Sequence, residues 1–189
     1  MGSSLKSLPM KRLILSIFAV AALLLTSCDG PKTVTHGGIS LDLPAGYKAT
    51  FEDSDEVMMT RVNVEDKNNG DNFMFISIMH LNDSLVEGKT QEELIEMLKD
   101  DAWGLVVSDM EDEENYDVTE EPTFNLSEDP LGVVYFYGGT HLGDPFVARV
   151  VTSLHDDVEI MATLETGTQE DMDILTNIFL SLEYDPSAN

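Results

Sequence analysis

The chain has 189 residues, 42% of them apolar, which is enough for one packed domain and too apolar for a disordered polymer. Its 36 acids against ten bases give a net charge of −26, a field that repels phosphate backbones and excludes nucleic acid as a partner. A single cysteine excludes an internal disulfide framework, so size and packing must hold the fold.

Lys11-Arg12 precedes an apolar run from Leu13 to Leu25, 13 residues, right for a signal h-region and too short to cross a bilayer. The run closes on Leu25-Thr26-Ser27-Cys28. This large-small-small-Cys order resembles the lipobox of bacterial lipoprotein signal peptides. The resemblance implies removal of residues 1–27, a palmitate-type lipid anchor on Cys28, and export to the periplasmic face, the outer membrane or the cell surface. Met1 and Met10 both remain possible starts. Met1-Gly2 does not signal N-myristoylation, because Lys6 stands where Ser or Thr is needed. Past Cys28 all 36 acids face only seven bases, so lipid rather than charge must do the anchoring. Residues 29–37 read as a short tether reaching at most roughly 30 Å.

Gly38 to Pro44 alternates as a half-buried strand and Pro44-Ala45-Gly46 stops it. A second strand runs from Val57 to Glu65 with Val62 and Val64 on one face. Asp66 to Asp71 is turn chemistry. Phe73 to Met79 is apolar on both faces and belongs in the middle of a sheet covered on both sides. Thr90-Gln91-Glu92-Glu93 forms a capping box, followed by Leu94, Ile95, Leu98, Ala102 and Leu105 at helical spacing, so a helix runs from 90 to about 105 and frays toward Met110. Trp103 on that helix reads as core or core rim. The acidic run 109–121 favours an exposed loop or a twisted edge strand. Leu131–Tyr137, Pro145–Leu154 and Val158–Leu164 are three strands of an antiparallel meander, the first again apolar on both faces. Thr168 caps a last helix with Met172, Leu175, Ile178, Phe179 and Leu182 as its stripe.

Two doubly apolar strands call for cover on both faces of one antiparallel sheet. The opening Gly38-Ile39-Ser40-Leu41-Asp42-Leu43-Pro44-Ala45-Gly46-Tyr47 resembles the start of PsbP-like domains, and Ile174 to Glu183 resembles their closing helix. The resemblance implies an α+β fold, a three-layer α/β/α sandwich over residues 38–185, and a non-enzymatic role in binding or assembly. No binding residues of that family carry over, because none of its functional motifs is matched.

Little in the chain spells chemistry. Gly88-Lys89-Thr90 imitates a phosphate loop, but Asp83 stands where the loop needs Gly, and Thr90 is better used as a helix cap. No nucleophile elbow occurs, and His36, His80, His141 and His155 lack metal-ligand spacing. Asp109, Glu111, Asp112, Glu113 and Glu114 are weak candidates for a Ca²⁺ site. Asp83-Ser84-Leu85 resembles the Asp-Ser/Thr-apolar O-glycosylation site of some exported bacterial proteins, with Ser84 as acceptor. Arg149, mid-strand among apolar neighbours, must be an ion-pair partner or a ligand anchor. The sequence reading is therefore a membrane-anchored, exported, non-enzymatic binding or assembly module of the cell envelope, without cofactor, acting on an envelope protein. A binder of small ligands or Ca²⁺ at the acidic loop is the alternative.

Overall fold

The computed structural model describes residues 30–54, 59–112, 114–128 and 130–185. The elements are β1 (Lys32–His36), β2 (Ile39–Leu43), β3 (Tyr47–Ser54), β4 (Met59–Asp66), β5 (Phe73–His80), α1 (Asp83–Val86), α2 (Gln91–Glu111), β6 (Tyr116–Glu128), β7 (Leu131–His141), β8 (Asp144–His155), β9 (Val158–Thr166), α3 (Gln169–Leu180) and β10 (Glu183–Tyr184). Residues from Pro31 onward form one compact unit.

Seven strands build one antiparallel sheet in the order β3-β4-β5-β9-β8-β7-β6. The doubly apolar strand β5 lies beside the central β9, as its composition requires. β1, β2 and β10 form a second, three-stranded sheet with β2 in the middle.

The two faces of the large sheet are covered at opposite ends. On one face α2 packs against β6, β7 and β8, burying Leu98, Ala102 and Val106 against Val133, Tyr135, Tyr137, Ala148 and Val150. Thr90 and Glu93 form the expected capping box, and the helix continues to Glu111. On the other face α3 and β2 cover β4, β5 and β9, and Met172, Leu175 and Ile178 meet Ile39, Leu41, Val62, Met74, Ile76, Ile160 and Leu164. The α+β architecture is therefore the expected one, with one refinement: the layer over this second face is part helix and part small sheet.

The expected tether is corrected. Lys32–His36 pairs with β2 and belongs to the domain. Its only apolar residue is Val34, so alternation gives no sign of it, and it becomes a strand because β2 offers it a free edge. β10 has two residues, too few for a pattern, whereas β3 does alternate, with Tyr47, Ala49 and Phe51 facing the core and Lys48, Thr50 and Glu52 facing out, directly after the Pro44-Ala45-Gly46 stop. Residues 57–58 of the expected second strand lie outside the described residues, and its observed part begins at Met59.

The acidic run divides. Its first residues finish α2, and the rest enters β6, an edge strand with register shifts at Val118/Glu120 and Glu120/Thr123. These bulges let β6 close over Gly139, where a Cβ would fall 2.0 Å from the Asp117 carbonyl oxygen. Bulges, Pro122 and acids together blunt an edge that would otherwise template aggregation.

Candidate functional site

The site follows from a mismatch between sheet width and helix length. α3 has only 12 residues and lies over β9, reaching β8 at its margin. Side chains on the same face of β7 and β8 extend beyond it. Register sets them in rows: Phe136 beside Arg149 beside Leu164, then Val134 beside Val151 beside Ala162, then Gly132 beside Ser153 beside Ile160. With Thr176, Phe179, Leu180 and Leu182 on one wall and Ser127 and Pro130 on the other, these rows enclose a groove of about 440 Å³. That volume lies within the range of small-molecule sites. Leu180, on the helix wall, is 74% exposed. At Gly132 a Cβ would come within 2.7 Å of the Thr152 carbonyl oxygen, so glycine is required in the floor.

Arg149 stands at one end of this groove. Its Nη1 donates to Thr176 Oγ1 at 2.7 Å, and Thr176 Oγ1 itself donates to the Met172 carbonyl at 2.7 Å, which turns its lone pairs toward the guanidinium. The guanidinium carbon lies 5.4 Å from the centroid of Phe136. Asp173 Oδ1 is 3.9 Å from Nη2, too far for a hydrogen bond, and the Asp173 side chain is largely exposed. The expected ion pair is thus a loose, solvated one of the kind that contributes little. A guanidinium carries five N–H donors, and one of Arg149's is firmly engaged. Glu120, Glu121 and Gln169 border its side chain away from the groove.

The opposite face carries a second polar constellation. Tyr137 Oη donates to Asp109 Oδ2 at 2.5 Å. Tyr116 Oη donates to Glu165 Oε2 at 3.0 Å, and His141 Nδ1 lies 2.7 Å from Glu165 Oε1, with its ring stacked on Tyr116 at 4.1 Å. Burial, reinforced by the neighbouring carboxylates, raises both phenols well above the ordinary tyrosine range. Burial also raises Asp109, against the opposing hydrogen bond from Tyr137, and Glu165, against His141 and Tyr116. At the other end of β9, buried Glu159 faces the Asp101 carboxyl of α2. Desolvation first, then the Asp101 charge, pushes it up to about 7, and its Oε1 is buried without a hydrogen-bond partner among the described residues. These groups pin α2 and the β7–β8 turn to the sheet.

The sequence candidates are scattered. Asp109 turns inward to Tyr137, while Asp112 accepts both bonds from the Asn115 amide. Glu113 lies outside the described residues. Among the described residues no three His, Cys, Asp or Glu side chains converge as a metal-ligand set. Each histidine has its own partner: His36 with Asp53, His80 with Tyr184, His141 with Glu165, His155 with Ser153. Ser84 is exposed on α1, its backbone N–H held by Asn82. Trp103 sits at the core rim, 39% exposed and 5.6 Å from Tyr135. Cys28 lies outside the described residues. The sequence reading singled out Arg149 but not Thr176, Glu159 or Glu165. A lone Glu between apolar neighbours, as in Val158-Glu159-Ile160, was the available signal for Glu159.

No protein-family model matches the chain, and no curated protein sequence matches it. Among solved structures, the chain is similar to the solution structure of cyanobacterial PsbP (CyanoP) from Synechocystis sp. PCC 6803, with a TM-score of 0.51 at 14% identity over 84% of this chain and 95% of that one. A second similarity, to a protein from Bacteroides thetaiotaomicron VPI-5482, has a TM-score of 0.42 at 9% identity over 85% of this chain and half of that one. At these identities the likeness is one of architecture, and the fold of this chain is PsbP-like.

Proposed function

We propose that the chain is an exported lipoprotein, anchored by lipid on Cys28, that works as a non-enzymatic binding module of the cell envelope and holds its ligand in the groove between α3 and the β7–β8 face. One observation carries this reading. The groove is a preformed, mostly hydrocarbon concavity lined by the Arg149 guanidinium, whereas Tyr116, Tyr137, His141, Asp109 and Glu165 on the other face are bonded to one another. The anchor rests on Leu25-Thr26-Ser27-Cys28 and sets the compartment in which a ligand is met.

Photo-crosslinking in cells tests the reading. A photoreactive residue replacing Leu180, at the groove wall, is expected to give a discrete adduct. The same residue replacing Leu85, exposed on α1, is expected to give none. Equal labelling from both positions, or none from either, overturns the groove as the binding surface. Cys28→Ser is expected to move the protein from the membrane to the soluble fraction, and retention in the membrane overturns the anchor.

A further inference from the structure

Resting on that reading, we infer that the groove's ligand is a single-chain amphiphile with a carboxylate head, seated with its head on Arg149 and its hydrocarbon chain along β8 toward Ser153. Charge identifies the head. In a chain with 36 acids and ten bases, the groove presents a guanidinium that, among the described residues, makes one short hydrogen bond, to the neutral Thr176 hydroxyl. A carboxylate matches that planar fork with two parallel bonds. Thr176 and Phe136 fix the fork's position, so little freedom is lost when an anion arrives. Asp173, at 3.9 Å and exposed, is displaced at small cost.

The backbone identifies the tail. A peptide laid in the groove would need partners for its N–H and C=O groups. The floor offers none, because β7 is paired with β6 and β8, and β8 with β7 and β9. Thr176 and Ser153 are also committed, Thr176 to Met172 and Arg149, Ser153 to His155. A peptide would therefore bury unsatisfied polar groups at a cost that hydrocarbon does not incur. From Arg149 to Ser153 the floor runs four residues, roughly 13 Å at about 3.4 Å per residue, so an extended acyl chain fits along it.

The test uses the full chain in nanodiscs with two photoreactive probes, dodecanoate carrying a mid-chain diazirine and the matching dodecanol, followed by peptide mapping of the adducts. The expected result is labelling of the β7–β8 floor or of α3 near Leu180, about tenfold stronger for the acid than for the alcohol. Arg149→Gln is expected to abolish that preference, and Arg149→Lys to keep part of it. Leu180→Ser, an exposed change that leaves the fold intact by its thermal melt, is expected to weaken labelling by both probes. Equal labelling by acid and alcohol, unaffected at Arg149, overturns the carboxylate head while leaving the groove as a binding surface. No groove adduct from either probe overturns the amphiphile altogether. A protein adduct at Leu180 in cells would then still support the binding-module reading, so the two failures are distinguishable.

Discussion

The two helices make opposite use of the same sheet. α2 has 21 residues, a reciprocal cap, and two polar contacts to the sheet, Asp109 with Tyr137 on β7 and Asp101 facing Glu159 on β9. α3 has 12 residues, a one-way cap from Thr168, and stops while β7 and β8 still present apolar side chains. Where the helix is long, the sheet is closed and its polar groups act as internal fastenings. Where the helix is short, the sheet is open and an apolar surface with an oriented cation remains. In this fold, open surface is set by how many turns a covering helix has.

That contrast can be broken first at the buried contacts. Leu175→Ala, on the closed part of α3, is expected to cost about 3 kcal/mol in denaturant unfolding, because a fully buried side chain leaves a cavity. Leu180→Ser, one turn later on the open part, is expected to change stability by less than about 0.5 kcal/mol. Equal effects would mean the groove is closed in solution.

The fastening between α2 and β9 is sharpened by pH. Glu159 is held up to about 7 in the fold, above its ordinary carboxylate value, so between about pH 4.5 and 7 the folded state binds more protons than the unfolded one. Its contribution is fully present below that window and is lost as pH rises through 7. Glu159→Gln, which keeps the shape and cannot ionise, is expected to be about 1–2 kcal/mol more stable than wild type at pH 8, with the difference vanishing near pH 4. A difference constant across that range would show that Glu159 does not titrate there.

Capping gives a smaller effect. Thr90→Ala removes the side chain that accepts the Glu93 N–H and is expected to cost about 1 kcal/mol by chemical denaturation. Smallest is the β7–β8 turn, where Leu142 holds a φ of 53° that suits Asn or Gly better. Leu142→Asn is expected to stabilise by a few tenths of a kcal/mol up to about 1, read as a rise in melting temperature.

Sequence legibility followed the same division. β5, the meander strands and the two long helices, α2 and α3, are visible because their apolar periodicity and caps are local properties of the chain. β1 and β10 are not, because strands of this kind are created by the edge they pair with, and Lys32–His36 reads as a tether; β3 is legible in the alternation of Tyr47, Ala49 and Phe51, which the sequence expectation omitted. Arg149 was recognisable as an odd residue, but its meaning was not. The pattern Val133-Val134-Tyr135-Phe136-Tyr137 announced two apolar faces and implied that both were covered. One of them is open, and that depends on where α3 ends relative to the width of the sheet, a relation between distant segments that no local pattern encodes.

Strand β1 has a mechanical consequence. Its backbone pairs only with β2, on the outer edge of the small sheet, while β2 keeps β10 on its other side, and its side chains add the His36–Asp53 contact to β3 and the packing of Val34. On the proposed tether, any pull from the membrane reaches Lys32 first and loads this five-residue strand before it loads either core. On that tether β1 would act as a fuse. Peeling it lengthens the leash by roughly 17 Å at about 3.3 Å per residue and absorbs the tug, while the sheet, both helices and the groove keep their shape.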